Sequence, residues 1–233
     1  MLALKLGQSL SNIKNGSWLP TNQTDCEAWY AKGVGVTESG SPNFKVSKWN
    51  DLSGNNNHLV QSNLSHQPVY GTGADKGIIT FDSSNTENLE TTSQISLSSD
   101  FTIGVALNLA AGGGVLLGDN TANGEFFRFF STSVIRIKID NATAVDISKD
   151  SGTFLGKAYM VLTRRSDIIT LYWNGTAQTD TEELTGTADI DNLGVRKADL
   201  NPYDGTVSEV MMFSSSSSAL TSLVNNRLAL SSL

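Results

Sequence analysis

One cysteine and two histidines, Cys26, His58 and His66, are all that 233 residues contain for thiol or imidazole chemistry. A single thiol forms no intrachain disulfide, so the fold must rest on its core rather than on covalent staples. A nucleophilic thiol needs a base beside it. Both histidines fall in turn-like sequence, so Cys26 reads as a buried, inert side chain. Long apolar runs are missing too. No stretch approaches the roughly 20 residues of a transmembrane helix. The apolar opening, Met1-Leu2-Ala3-Leu4, lacks the longer hydrophobic region and cleavage site of a secretory signal. The expectation is a chain without membrane insertion. Positive charge is scarce, with 16 Lys and Arg against 23 Asp and Glu for a net charge of −7. A phosphate backbone requires a clustered basic surface, so nucleic acid is excluded as a partner. The short basic runs Arg164-Arg165 and Arg196-Lys197 read as solvated strand ends.

What the chain has is turn chemistry between short apolar runs. Its 21 glycines accompany 39% hydrophobic residues, the mixture expected where many strands alternate with turns. Strands are expected at 44–49, 77–81, 88–92, 101–109, 114–117, 126–130 and 134–139, then at 144–147, 157–164, 168–173, 186–193 and 205–213. Residues 134–139 carry the clearest alternation, with Arg136 and Lys138 on one face and Ile135, Ile137 and Ile139 on the other. Asn174-Gly175 is a strong hairpin signal, because both residues tolerate positive φ. Near the end, Leu220, Leu223, Val224 and Leu228 fall at helical spacing behind a serine run. These elements predict an all-β, two-sheet antiparallel jelly-roll sandwich over residues 25–233 with one short C-terminal helix. Residues 1–24 read as an extended N-terminal arm, an anchor or docking segment.

Several of these segments resemble a known superfamily. Trp49-Asn50-Asp51-Leu52-Ser53-Gly54, running on to Asn57-His58, is similar to the opening signature of concanavalin A-like, laminin G-like domains. Phe81-Asp82 with Asn88-Leu89 resembles the strand that follows it, although Ser83 stands where the family has glycine. Asn174-Gly175 behind Tyr172-Trp173 resembles its hairpin, and Gly205 to Glu209 its closing strand. The resemblance implies the jelly-roll fold. It gives Trp49, Asp51, Ser53, Gly54, Phe81, Asn174, Gly175, Gly205 and Glu209 structural work: the first four form a capped corner around a buried ring.

Function has to be sought in loops and faces. Calcium, a hard cation, takes oxygen ligands from loop acids, and Asp51, Asp82, Asp119 and Asp204 are the candidates. Sugars are held by aromatic faces with a few oriented polar groups. Tyr70 and Tyr203 lie in polar loops and are the candidates for a glycan, whereas Trp49 and Trp173 belong to strands. The superfamily also includes glucanases, whose two carboxylates sit on alternate positions of one strand. The nearest acids here, Asp180, Glu182 and Glu183, occupy a Thr-rich stretch read as a loop. No catalytic constellation emerges, and the expectation is a non-enzyme. Such domains usually work outside cells, yet this chain lacks both a signal and disulfides. Assembly inside a cell followed by release resolves that tension. The expectation is therefore a virion structural protein: a phage capsid-decoration, fibre or tail component, present as a homo-oligomer or in many copies. It would contact other virion proteins through the arm and adhere weakly to surface glycans. The alternative is a secreted or cell-surface lectin module.

Overall fold

The computed structural model describes residues 18–120, 126–140 and 143–231. In chain order the strands begin with β1 (Cys26–Tyr30), β2 (Val36–Glu38), β3 (Val46–Trp49), β4 (Leu59–Val60), β5 (Val69–Tyr70) and β6 (Ile79–Phe81). The middle of the chain gives β7 (Leu89–Leu97), β8 (Phe101–Leu109), β9 (Val115–Gly118), β10 (Phe126–Phe129), β11 (Val134–Lys138) and β12 (Val145–Ser148). Then come β13 (Gly156–Arg165), β14 (Ile168–Trp173), β15 (Thr176–Glu183), β16 (Ala188–Leu193), β17 (Gly205–Phe213) and the helix α1 (Ser218–Ser231).

Two antiparallel sheets face each other. The first has eight strands in the order β15-β14-β13-β8-β17-β6-β5, with β1 added against β17. The second has nine, in the order β12-β11-β10-β9-β16-β7-β4-β3-β2. The chain changes sheet eight times, between β1 and β2, β4 and β5, β6 and β7, β7 and β8, β8 and β9, β12 and β13, β15 and β16, and β16 and β17, which is how a jelly roll is wound. The expected all-β sandwich with one C-terminal helix is the architecture observed.

Alternation supplies the core. In β11, Ile135 and Ile137 are buried while Arg136 and Lys138 reach outward. Trp49 is 0% exposed and packs against Tyr30 at 5.6 Å between ring centres. A second aromatic group joins Phe129, Phe154, Trp173 and Tyr203. Strand β8 is almost continuously buried, because it is covered on both faces. Its outer cover is α1, whose Leu220, Val224 and Leu228 pack with Ala106, Val161, Met211 and Phe213. A side chain at Gly104 would meet Val224 Cγ1 at 2.5 Å, so the glycine is what lets the helix sit this close. Glu209, 1% exposed, fastens the helix electrostatically. It accepts from Trp29 Nε1 at 2.9 Å, pairs with Arg227 at 2.6 Å and accepts from the Ser231 hydroxyl.

The corner after β3 is built as its residues suggest. Asp51 is buried and accepts from the backbone N–H groups of Trp29, Ser53 and Asn57 at 2.9–3.0 Å, and from the Ser53 hydroxyl at 2.7 Å. Gly54 turns the chain with φ of +101°. Asn174 and Gly175 form the two-residue loop between β14 and β15 with φ of +49° and +81°, as a primed turn requires. Gly205 opens β17 directly opposite Phe81.

Two local expectations change. Thr176–Glu183 is edge strand β15 and not a loop, so Glu182 and Glu183 stand opposite Ile169 and Ile168. Arg164 is 1% exposed, not solvated. Its guanidinium donates to the carbonyls of Ser99 at 2.9 Å and Gly186 at 2.6 Å, and stands over the Phe101 ring at 5.0 Å, which compensates its burial. The sheet edges β12 and β15 are also stitched together: Ser148 N–H donates to Asp180 at 2.7 Å and Thr179 N–H to Asp150 at 2.9 Å. Of the N-terminal arm, residues 1–17 lie outside the described residues. Trp18 beyond them rests on Phe213 of the chain's own sandwich, 6.1 Å between ring centres.

Candidate functional site

Directly paired residues in a sheet share a face. In the nine-stranded sheet, Leu89, Leu193 and Leu117 form a row that points into the core. The adjacent row, Lys48, Val60, Glu90, Asn192 and Gly118, must therefore point outward. Around Glu90 this outer face forms an open groove of about 340 Å³, bordered by Ser47, Val60, Gln61, Ser62 and Gln67. Hydrogen bonds fix its amides: Gln67 donates to the Gln61 carbonyl at 2.7 Å, and Gln61 to Asn88 Oδ1 at 2.8 Å. The wall thus sets preordered donors and acceptors beside apolar surface that includes Val60.

Beside the groove, across β16 and β9, lies a buried polar group: Asn192 and Asp119 are 1% and 0% exposed, and the backbone of Val195 and Arg196 covers Gly118. Glu90 Oε1 accepts from Asn120 Nδ2 at 3.1 Å and from Asn192 Nδ2 at 3.4 Å. The backbone N–H of Asn120 donates to Asp191 Oδ1 at 2.7 Å, so one asparagine holds both carboxylates. A register irregularity between Ile190 and Asn192 places Asp191 here, between core-facing Ile190 and outward-facing Asn192. Burial pushes the Asp191 carboxyl up to about 6, the Asn120 N–H opposes this, and the charges of Asp119 and Glu90 add to the rise.

A pH dependence follows. The fold favours the neutral form of Asp191, so that contribution to stability is complete below an ordinary carboxylate value of 3.8 and is lost as pH rises through about 6. Asp191→Asn is expected to lack this decline. In urea denaturation between pH 4 and pH 7, the wild type should lose stability relative to the variant as pH rises; parallel curves would contradict the assignment.

The residues expected from sequence are not brought together. Tyr203 is 0% exposed, edge-on to Phe81 at 6.1 Å, with its hydroxyl donating to the Asn108 carbonyl at 3.2 Å. Its loop dips into the sandwich because the ring fills the space between Phe81 and Phe129, so it presents no face to a sugar. Tyr70 is half-buried on the short edge strand β5, packed against the core, and burial raises its hydroxyl. Trp29, Trp49 and Trp173 are buried.

The four aspartates expected to bind calcium are equally scattered. Asp51 is consumed by its corner. Asp82 caps the turn at Ser83–Asn85 through Ser84, whose bonds lower its pKa. Asp119 lies beside Asp191, and Asp204 precedes β17. Among the described residues no group of three His, Cys, Asp or Glu is arranged to hold a metal ion. Cys26 is buried, and burial followed by the charge of Asp51 pushes its thiol up to about 12, out of reach of nucleophilic use. Glu90, Asp191, Asn192 and Gln61 were not anticipated. Glu90 could have been found from its position beside buried Leu89 in an alternating strand, but its partner Asn192 lies 102 residues away.

No family model matches the chain, and no curated protein matches it. Solved structures do share its fold. Domain 4 of AbnA, a GH43 extracellular arabinanase from Geobacillus stearothermophilus in complex with arabinotriose, aligns over 88% of this chain and 98% of its own, at TM-score 0.58 and 13% identity. A GH54 α-L-arabinofuranosidase aligns over 89% of this chain and 63% of its own, at TM-score 0.60 and 13% identity. Trypanosoma rangeli sialidase, in complex with the inhibitor DANA, aligns over 87% of this chain but 32% of its own, at TM-score 0.51 and 10% identity. The chain therefore spans a whole domain of the arabinanase, under two thirds of the arabinofuranosidase and about a third of the sialidase.

These neighbours correct two expectations. The reading as a virion structural protein is overturned, because the chains that share the sandwich are carbohydrate-active enzymes and a domain of one. The reading as a non-enzyme falls with it, since those neighbours are glycoside hydrolases and a sialidase. What they support is the β-sandwich; neither a phage context nor the laminin G-like subdivision finds a counterpart among them.

Proposed function

We propose that this chain is a carbohydrate-recognition module, with the groove at Glu90 on the outer face of the nine-stranded sheet as its saccharide site. The groove's fixed row of carboxylate and amide side chains carries the reading, because sugar hydroxyls are bound by planar groups that both donate and accept. The fold it shares with a domain complexed to arabinotriose supports it, as does the resemblance to concanavalin A-like domains. Arabinotriose is accordingly the first probe, followed by neutral xylo- and galacto-oligosaccharides. Calorimetric titration should detect binding that Glu90→Ala weakens about tenfold, the value of one charged hydrogen bond. No heat from any of these sugars, or an affinity indifferent to Glu90→Ala and Gln61→Ala, defeats the proposal.

Hydrolysis is the second reading, and one observation favours it. Asp191, raised to about 6, and Glu90 are held through one asparagine, and a pair of acids in unlike environments is what acid–base cleavage of a glycosidic bond uses. Turnover of 4-nitrophenyl α-L-arabinofuranoside that disappears in both Asp191→Asn and Glu90→Gln would establish it. Binding without turnover would leave recognition alone.

A further inference from the structure

The same outer face carries a second, oppositely charged feature. Arg128 on β10 and Arg136 on β11 are direct cross-strand partners, so two positive charges stand opposite each other in the ladder. Like charges so placed destabilise a sheet. Asp146, opposite Arg136 on β12, relieves one of them by gripping its guanidinium with two bonds of 2.7 Å. Arg128 receives no such relief. Among the described residues it makes no ion pair, and its Nε donates to the Gly113 carbonyl at 2.9 Å. Burial, then the charges of Arg196 and Arg136, hold its pKa below the usual guanidinium range. Three arginines thus converge on one spot of a chain whose net charge is −7.

Phe130 completes the spot. It is the aromatic ring left exposed among the described residues, at 41%, with the Arg136 guanidinium 3.7 Å and that of Arg128 5.3 Å from its centre. An exposed ring beside half-buried guanidinium groups offers a flat apolar face and a bidentate donor fork together. The Arg136–Asp146 pair demonstrates the geometry in which a carboxylate is taken here. Arg128 lies on the same outer face, three strands across and two residues along from the row of Glu90, roughly 16 Å at ordinary strand spacing and rise, so an oligosaccharide that reaches both passes over the Arg196 backbone covering Gly118.

We infer that Arg128, supported by Arg136, Arg196 and Phe130, is a subsite for a carboxylate-bearing sugar unit, which makes acidic oligosaccharides the preferred ligands of this face. The inference rests on the saccharide reading of the face and adds its charge selectivity. Titrating the full chain with trigalacturonate and with neutral arabinotriose tests it. The acidic trisaccharide is expected to bind at least about tenfold tighter, as a charge-assisted bidentate contact implies. Arg128→Gln should remove that advantage and leave arabinotriose binding unchanged, and Arg128→Lys should restore part of it. The Arg128→Gln chain is expected to melt no lower than the wild type, since it loses a repulsion. Equal affinities, or indifference to Arg128→Gln, would overturn the inference while the saccharide reading stands. Competition by sodium acetate at the concentration of trigalacturonate would reduce the spot to an anion site and overturn it as well. Binding of neither trisaccharide would sink both readings.

Discussion

Replacing Glu209 by alanine is expected to cost about 3–5 kcal/mol, the penalty for removing one partner of a buried charge pair. Glu209 is 1% exposed and takes hydrogen bonds from Trp29, Arg227 and Ser231, so its loss strands a guanidinium held over the Trp29 ring at 4.8 Å. The pair joins β17 to the last turns of α1, and its removal should loosen the helix before the sandwich opens. Guanidinium denaturation gives the total loss, and amide exchange in α1 should accelerate more than in β13. Glu209→Gln keeps the acceptor oxygen for Trp29 and should retain part of the stability. A midpoint unchanged in Glu209→Ala would mean that apolar packing of Leu220, Val224 and Leu228 alone holds the helix.

Trp49→Ala is expected to cost a similar amount, about 3–5 kcal/mol, for a different reason. Its ring is fully enclosed, packs on Tyr30 and donates from Nε1 to the Ala31 carbonyl at 3.3 Å. Truncation leaves a cavity beneath the corner at Asp51, which the hydrogen-bonded turn cannot collapse to fill. Trp49→Phe retains most of the volume and should lose less than half as much. Chemical denaturation of the two variants separates the cavity from the lost indole bond. A near-neutral alanine variant would show that the corner stands without its ring.

Much of the fold was legible because strand formation leaves a local trace. The alternation at Ile135 and Ile137, the continuous apolar run of β8 and the Asn174-Gly175 turn each report their structure within a few residues. Short strands such as Leu59–Val60 and Val69–Tyr70 left no period to read. Thr176–Glu183 was masked by polar composition, since an edge strand buries so little of itself. The site fared worse. Tyr203 sits in a polar stretch and reads as exposed, yet the space between Phe81 and Phe129 draws its ring inside.

By itself, then, the sequence determined the sandwich, its turns, the C-terminal helix and the corner at Trp49 to Gly54, since periods of two and 3.6 residues and turn chemistry are short-range properties. Tertiary structure alone decided which polar residues share a face. Strand register sets Glu90 beside Asn192 and Arg128 opposite Arg136, and the irregularity in β16 carries Asp191 to Glu90. Register is fixed by matching buried rows across the whole sheet, a global condition that no local pattern records.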